Sequence, residues 1–140
     1  MENQAKDEKG KFDKENHGLS LLMYRENILD LYKYPHNFGS LNQATHSHRE
    51  FNALCGDDIT IKLIINNKDN KIENIKFQGS GCAISMASAS LLTDEIKGKT
   101  LKEIETIDKD KILNMLQIPI SSVRLRCALL CLDALKGALK

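Results

Sequence analysis

The run Gly79-Ser80-Gly81-Cys82-Ala83-Ile84-Ser85-Met86-Ala87-Ser88-Ala89-Ser90-Leu91-Leu92 joins a tight turn to a helix. Its glycines permit backbone conformations that other residues resist, and the Ala, Leu and Met that follow favour helix, so Cys82 falls in or next to the first turn. Unpaired N–H groups and the positive end of the helix dipole favour a thiolate there, and the thiolate is both the nucleophilic and the metal-binding form. A cysteine standing alone in such a place is more often a small core residue. Cys82 is therefore weighed together with Cys55, Asp57 and Cys127.

Upstream of this run, Ile59, Ile61, Leu63 and Ile65 alternate with Thr60 and Lys62, the pattern of a half-buried strand. Asn66-Asn67-Lys68-Asp69-Asn70 is a turn cluster, and Lys71 to Gln78, with Ile75 and Phe77 on one side, returns as the second arm of an antiparallel hairpin. The loops before and after such a hairpin lie at the same end of it, which brings Cys55 to Cys82. Leu41 to Phe51 reads as a short edge strand. Its His46 and His48 share a side and offer a metal pair; exposed polar histidines on an edge are the commoner arrangement.

From Leu19 to Tyr34 the apolar positions Leu21, Leu22, Tyr24, Ile28, Leu31 and Tyr32 recur at helical spacing, predicting a first helix that covers one face of the sheet. Pro35 stops it, and Tyr34 to Gly39 is a turn by composition. Downstream, the helix from Cys82 ends near Ile96-Lys97-Gly98, Thr100 and Glu103 fit a capping box, and a short helix spans Ile107 to Leu116 before Pro119. Ser121 to Cys127 reads as a polar loop leading into a last helix, Ala128 to Leu139. Cys131, one turn beyond Cys127, reads as a small core residue packed with Ala134 rather than a spare ligand. The expected fold is α+β: a small antiparallel sheet of about three strands covered by helices. Residues 1–18 read as a flexible tail and 19–140 as one domain.

Composition narrows the function. A chain of 140 residues, 41% hydrophobic, can bury a core without a stapling metal, so a bound metal would be functional. Twenty basic against nineteen acidic side chains, net charge +1, give no field that would recommend nucleic acid or an anionic membrane. No apolar run is long enough to span a bilayer and the first residues form no signal-peptide core, so the expected location is the cytoplasm. There, four cysteines are thiols or metal ligands rather than disulfides.

Taken as ligands, Cys55, Asp57, Cys82 and Cys127 offer three thiolates and one carboxylate, a set suited to tetrahedral zinc or an iron–sulfur cluster. Spacing alone leaves buried free thiols equally open. The surrounding motifs go further. Tyr24-Arg25-Glu26-Asn27-Ile28-Leu29-Asp30, Tyr32-Lys33-Tyr34-Pro35-His36-Asn37, Cys55-Gly56-Asp57, the glycine–cysteine helix, Lys97-Gly98-Lys99 and Arg124-Leu125-Arg126-Cys127-Ala128-Leu129-Leu130 come in one order, from about Ser20 to Lys140. Together they resemble the U-type iron–sulfur scaffold family, which includes SufU, IscU and the N-terminal domain of NifU.

The resemblance implies a scaffold without turnover of its own that takes sulfur from a cysteine desulfurase of the SufS or IscS type, assembles a transient [2Fe-2S] cluster, and passes it to apo-proteins. It implies Cys55, Cys82 and Cys127 as cluster, zinc (Zn2+) or iron (Fe2+) ligands, with Asp57 as the labile fourth. Cys127 matches the IscU-like persulfide acceptor, its thiolate favoured by Arg124 and Arg126, and Cys55 the SufU-like one. The second reading is a zinc-dependent, sulfurtransferase-like sulfur acceptor; a monomer or weak homo-oligomer suits both. The chain mixes branches of the family. Arg126 stands where IscU proteins have a ligand histidine, yet the stretch from Cys82 to Cys127 has the compact IscU length without the usual SufU insertion. Ile118-Pro119-Ile120-Ser121 replaces the Leu-Pro-Pro-Val-Lys chaperone motif of IscU.

Overall fold

The computed structural model describes residues 14–140, with side chains from Leu21 onward. Its centre is the expected hairpin: β2 (Asp57–Asn66) and β3 (Lys71–Ser80) pair antiparallel, Ile61 opposite Phe77 and Leu63 opposite Ile75. The edge strand β1 (His46–Asn52) adds to β2 with His46 opposite Leu63 and Asn52 opposite Asp57, giving the order β1-β2-β3. Along β2 every second residue is buried, and Ile59, Ile61, Leu63 and Ile65 form the core stripe. Each such side chain contributes about 1.5–3 kcal/mol by leaving water. At the head of that stripe the inward position is held by Asp57, a fully buried carboxylate.

The described residues form five helices: α1 (Lys14–Lys33), α2 (Ala83–Ile96), α3 (Leu101–Glu105), α4 (Lys109–Leu116) and α5 (Leu125–Ala138). Helix α5 packs on β1 and β2, and α2 packs on β3, α4 and α5. Because α2 is covered on several sides it is built from small residues, Ser85, Ala87, Ser88, Ala89 and Ser90 all being buried. Helix α1 packs chiefly against α2, not against the sheet as its amphipathic pattern suggested. Its seated stripe is Leu21, Tyr24, Ile28 and Leu31, while Leu22 and Tyr32 point outward. Periodicity marks an apolar face but not what covers it. The expected tail, 1–18, lies outside the described residues up to 13, and residues 14–18 join α1.

The turn Tyr34 to Gly39 does more than end α1. Asn37, in a left-handed conformation (φ 59°), accepts Phe77 N–H at 2.9 Å, and Gly39 N–H donates to Phe77 O at 2.9 Å, so the segment pairs with the outer edge of β3. It is tied to α2 through His36 Nδ1 to Asp94 Oδ2 at 2.6 Å and Asn37 Nδ2 to Asp94 Oδ1 at 2.8 Å. Nearer the hairpin turn, Ile72 N–H donates to Lys99 O and Gly98 N–H to Ile72 O, each at 2.9 Å. The edge of β3 is thus engaged at two points, whereas the outer edge of β1 has no strand partner among the described residues.

Candidate metal centre

At the end of the hairpin opposite its turn, three chain segments converge: the β1–β2 turn with Cys55, the start of α2 with Cys82, and the start of α5 with Cys127. Cys82 is the N-cap of α2, in extended conformation, and its side chain makes no capping bond. Instead its backbone N–H donates to Asp57 Oδ1 at 3.0 Å, and its Sγ lies 3.9 Å from Asp57 Oδ2. The carboxylate therefore takes the N–H of the cap residue itself and sits at the positive end of the helix. Gly81 makes room for it: a Cβ there would lie 2.8 Å from Asp57 Oδ1. Gly79 (φ 140°) is equally constrained, since a Cβ would meet Asp58 O at 1.9 Å.

Cys55 lies on a turn that closes by Gly56 N–H to Asn52 O at 2.8 Å, with Gly56 at φ 72°, and its thiol is exposed. Cys127 is the third residue of α5 and fully buried; its Sγ donates to Cys55 Sγ at 2.9 Å. Asn52, buried at the end of β1, donates its Nδ2 to Cys127 Sγ at 3.7 Å. Burial first, and then hydrogen bonds with Asp57 and Cys55, push the Cys127 thiol well above its ordinary range. Ligand atoms of Cys55, Asp57 and Cys127 all lie within 4.8 Å of one another. Cys82 joins this group through Asp57.

Two expectations about Cys127 are corrected. It does not lie in a polar loop, because α5 starts at Leu125, and the two guanidiniums do not flank it. Arg124 stands against Cys82, whose charge and hydrogen bond are the main causes raising the guanidinium, with smaller influences from Cys127 and Cys55. Arg126 is exposed and acts on Asp133. Cys131 is buried in the core as expected; burial pushes its thiol up to about 12, which makes it inert at neutral pH. His46 and His48 do share a side, but His46 Nδ1 pairs with Thr45 Oγ1 and His48 Nε2 with Glu50 Oε1, each at 2.9 Å, away from the cysteines.

Sequence reading missed Asn52, whose signal is a polar side chain ending a strand at the register position opposite Asp57. Three sulfurs and one carboxylate oxygen can hold tetrahedral zinc or the irons of a small cluster, and a carboxylate is a poorer partner for such iron than a thiolate.

The chain matches the family described as the NifU-like N-terminal domain over residues 23–140. Each of two iron–sulfur cluster assembly scaffold proteins, IscU, of Archaeoglobus fulgidus is 36% identical over 117 residues, covering 84% of this chain and 74% of the relative. The mitochondrial iron sulfur cluster assembly protein 2 of Saccharomyces cerevisiae is 33% identical over 121 residues, covering 84% and 76%. Among solved structures, a putative iron–sulfur cluster assembly scaffold protein for the SUF system from Fervidobacterium islandicum superposes with a TM-score of 0.67 at 28% identity, covering 86% of this chain and 99% of that one. A NifU-like N-terminal protein of Brucella abortus, 20% identical with a TM-score of 0.68 and coverage of 83% and 91%, shares the fold.

Proposed function

The chain belongs to the NifU-like N-terminal domain family, and from that premise we propose that Cys55, Asp57, Cys82 and Cys127 form the cradle on which it builds iron–sulfur clusters. The protein is an iron–sulfur cluster assembly scaffold, a binding and transfer protein rather than an enzyme with turnover. The observation that carries the site assignment is the convergence of Cys55, Asp57 and Cys127 within 4.8 Å, with Cys82 bonded to the same carboxylate. The cluster is the cargo. A [2Fe-2S] unit suits a four-residue cradle, and the same residues would hold zinc or ferrous iron before sulfur arrives.

In this reading sulfur enters through Cys55. Its exposed thiol, as thiolate, attacks the terminal sulfur of a persulfide on a cysteine desulfurase; a new S–S bond forms on Cys55, and the donor's S–S bond breaks with its electron pair left on the donor cysteine. Cys127 is fully buried and reaches the sulfur only after Cys55, its neighbour at 2.9 Å. Arg124 supports the negative charge that gathers at the cysteines. Leu54 (82% exposed) beside Cys55 and Val123 (72%) beside Arg124 give the rim apolar contacts for the desulfurase and for acceptor apo-proteins. Cytoplasmic residence belongs to the same reading: all four cysteines are free thiols, and none of the described helices is long and apolar enough to cross a membrane.

Asp57 is the release element. Its Asp57→Ala variant is expected to hold a reconstituted cluster several-fold longer than the parent, an equal or shorter lifetime counting against the role. The test of the whole reading is anaerobic reconstitution with a cysteine desulfurase, cysteine and ferrous iron, followed by visible absorption and Mössbauer spectra. A [2Fe-2S] signal that moves to an apo-ferredoxin, and is lost when Cys55, Cys82 or Cys127 becomes Ala, is the expected result; parent protein that yields no cluster overturns it.

A further inference from the structure

Ser85 and Ser88 of α2 carry the buried side-chain polar atoms that find no hydrogen-bond partner among the described residues. Both are fully buried. A hydroxyl in the first turns of a helix commonly bonds back to a carbonyl one turn earlier; these two do not. An unmade bond of this kind destabilises the folded chain. The two serines differ in place. Ser88 lies in the body of α2, whereas Ser85 lies in its first turn, three residues after Cys82. A Cβ at Gly81 would come 2.8 Å from Asp57 Oδ1 and 3.2 Å from Ser85 Cβ, so the serine and the carboxylate border one small space that Gly81 keeps open. Of the roughly four lone-pair sites on the Asp57 carboxylate, one takes Cys82 N–H and two face the thiols of Cys82 and Cys127, which leaves about one for a hydroxyl donor.

We propose that Ser85 is a positioning residue for Asp57: when one carboxylate oxygen turns onto iron or zinc, the Ser85 hydroxyl donates to the carboxylate and fixes its orientation. The inference rests on the reading of Asp57 as a ligand. Groups hydrogen-bonded to a ligating carboxylate set its direction and its strength as a donor. Loading the site then satisfies a hydroxyl that the unloaded protein leaves unmet, so metal binding and the stability of the first turn of α2 are coupled.

The probe is Co2+ added to the metal-free full chain, read by its thiolate-to-cobalt absorption and by competition with a chelator of known affinity. Ser85→Ala is expected to raise the Tm of the metal-free protein by about 2–4 °C and to weaken Co2+ binding roughly tenfold. In an Asp57→Ala background the weakening should vanish. Ser88→Ala, the control, should raise the metal-free Tm and leave Co2+ affinity unchanged. Unaltered Co2+ affinity in Ser85→Ala, equal weakening with and without Asp57, or a lowered metal-free Tm would each overturn the proposal. If Asp57→Ala itself leaves cobalt affinity and spectrum unchanged, the ligand reading of Asp57 fails, and the role of Ser85 with it.

Discussion

Helices α2 and α5 open on Cys82 and Arg124, neither of which makes a side-chain capping bond, while α3 and α4 open on Thr100 and Asp108, whose side chains accept from Glu103 and Lys111 N–H. The capped starts follow ordinary helix chemistry. Thr100 and Glu103 form a complete capping box, at the far end of the hairpin from the cysteines. At the site it is the N–H of Cys82 itself that is bonded, to the Asp57 carboxylate, and no side chain of the cap residue takes the donors of the first turn. A helix start can satisfy its own N–H groups or present them to something else, and this molecule does each in a different place.

The largest effect should come from removing a proposed ligand. Cys127→Ser is expected to weaken Co2+ or Zn2+ binding by more than the roughly 100-fold limit typical of outer-shell groups, while the metal-free chain keeps its native circular dichroism. Thr100→Ala should do the reverse, lowering stability by about 1 kcal/mol in urea unfolding with no change in metal affinity. If metal affinity fell with Thr100→Ala, the two ends would not be independent. The capping box should also respond to pH. Backbone and side-chain hydrogen bonds from Thr100 hold the Glu103 carboxyl below its ordinary value. Its contribution is therefore present above the usual glutamate range and is lost as pH falls through and below that range. The Tm difference between parent and Glu103→Gln should shrink on acidification from pH 7; a difference that stays constant would remove the carboxylate from the argument. Smallest of all is a stability effect at the site: Cys82→Ser places a good N-cap there, and the metal-free protein should gain about 0.5 kcal/mol, although its metal binding should fall as in Cys127→Ser. A variant both less stable and metal-free would mean that Cys82 already acts as a cap.

The hairpin was legible because alternation in Ile59 to Ile65 and the Asn-rich turn point to the same pairing, and that pairing alone brings the loops of Cys55 and Cys82 together. The capping box at Thr100 was legible for the same reason: its chemistry is local. Cys127 was harder. The N-cap residue of α5, Arg124, makes no capping bond; the local signal lies one turn earlier, where Arg124 N–H bonds Ser121 O at 3.0 Å and Ser121 Oγ at 3.3 Å, so the start of α5 is marked upstream of the cap position, in residues that read as loop. Its burial depends on Asn52 and Cys55, both distant in sequence. The pairing of Asn37 with Phe77 is likewise tertiary; composition marks a turn and is silent on which strand it borders. Helix α1 shows the same limit, its apolar stripe having found α2 rather than the sheet.

The unequal edges of the sheet bear on how copies of this protein can associate. Ile72 and Phe77 on β3 are already paired by Gly98, Lys99, Asn37 and Gly39, which leaves no run there for another strand, while β1 keeps its outer edge without a strand partner among the described residues. A unit that offers one open edge can join edge to edge with a single fellow, and the pair is then closed. Fibre growth by strand addition needs two open edges on every unit, so the turn that ends the first helix also acts as a chain terminator against polymerisation.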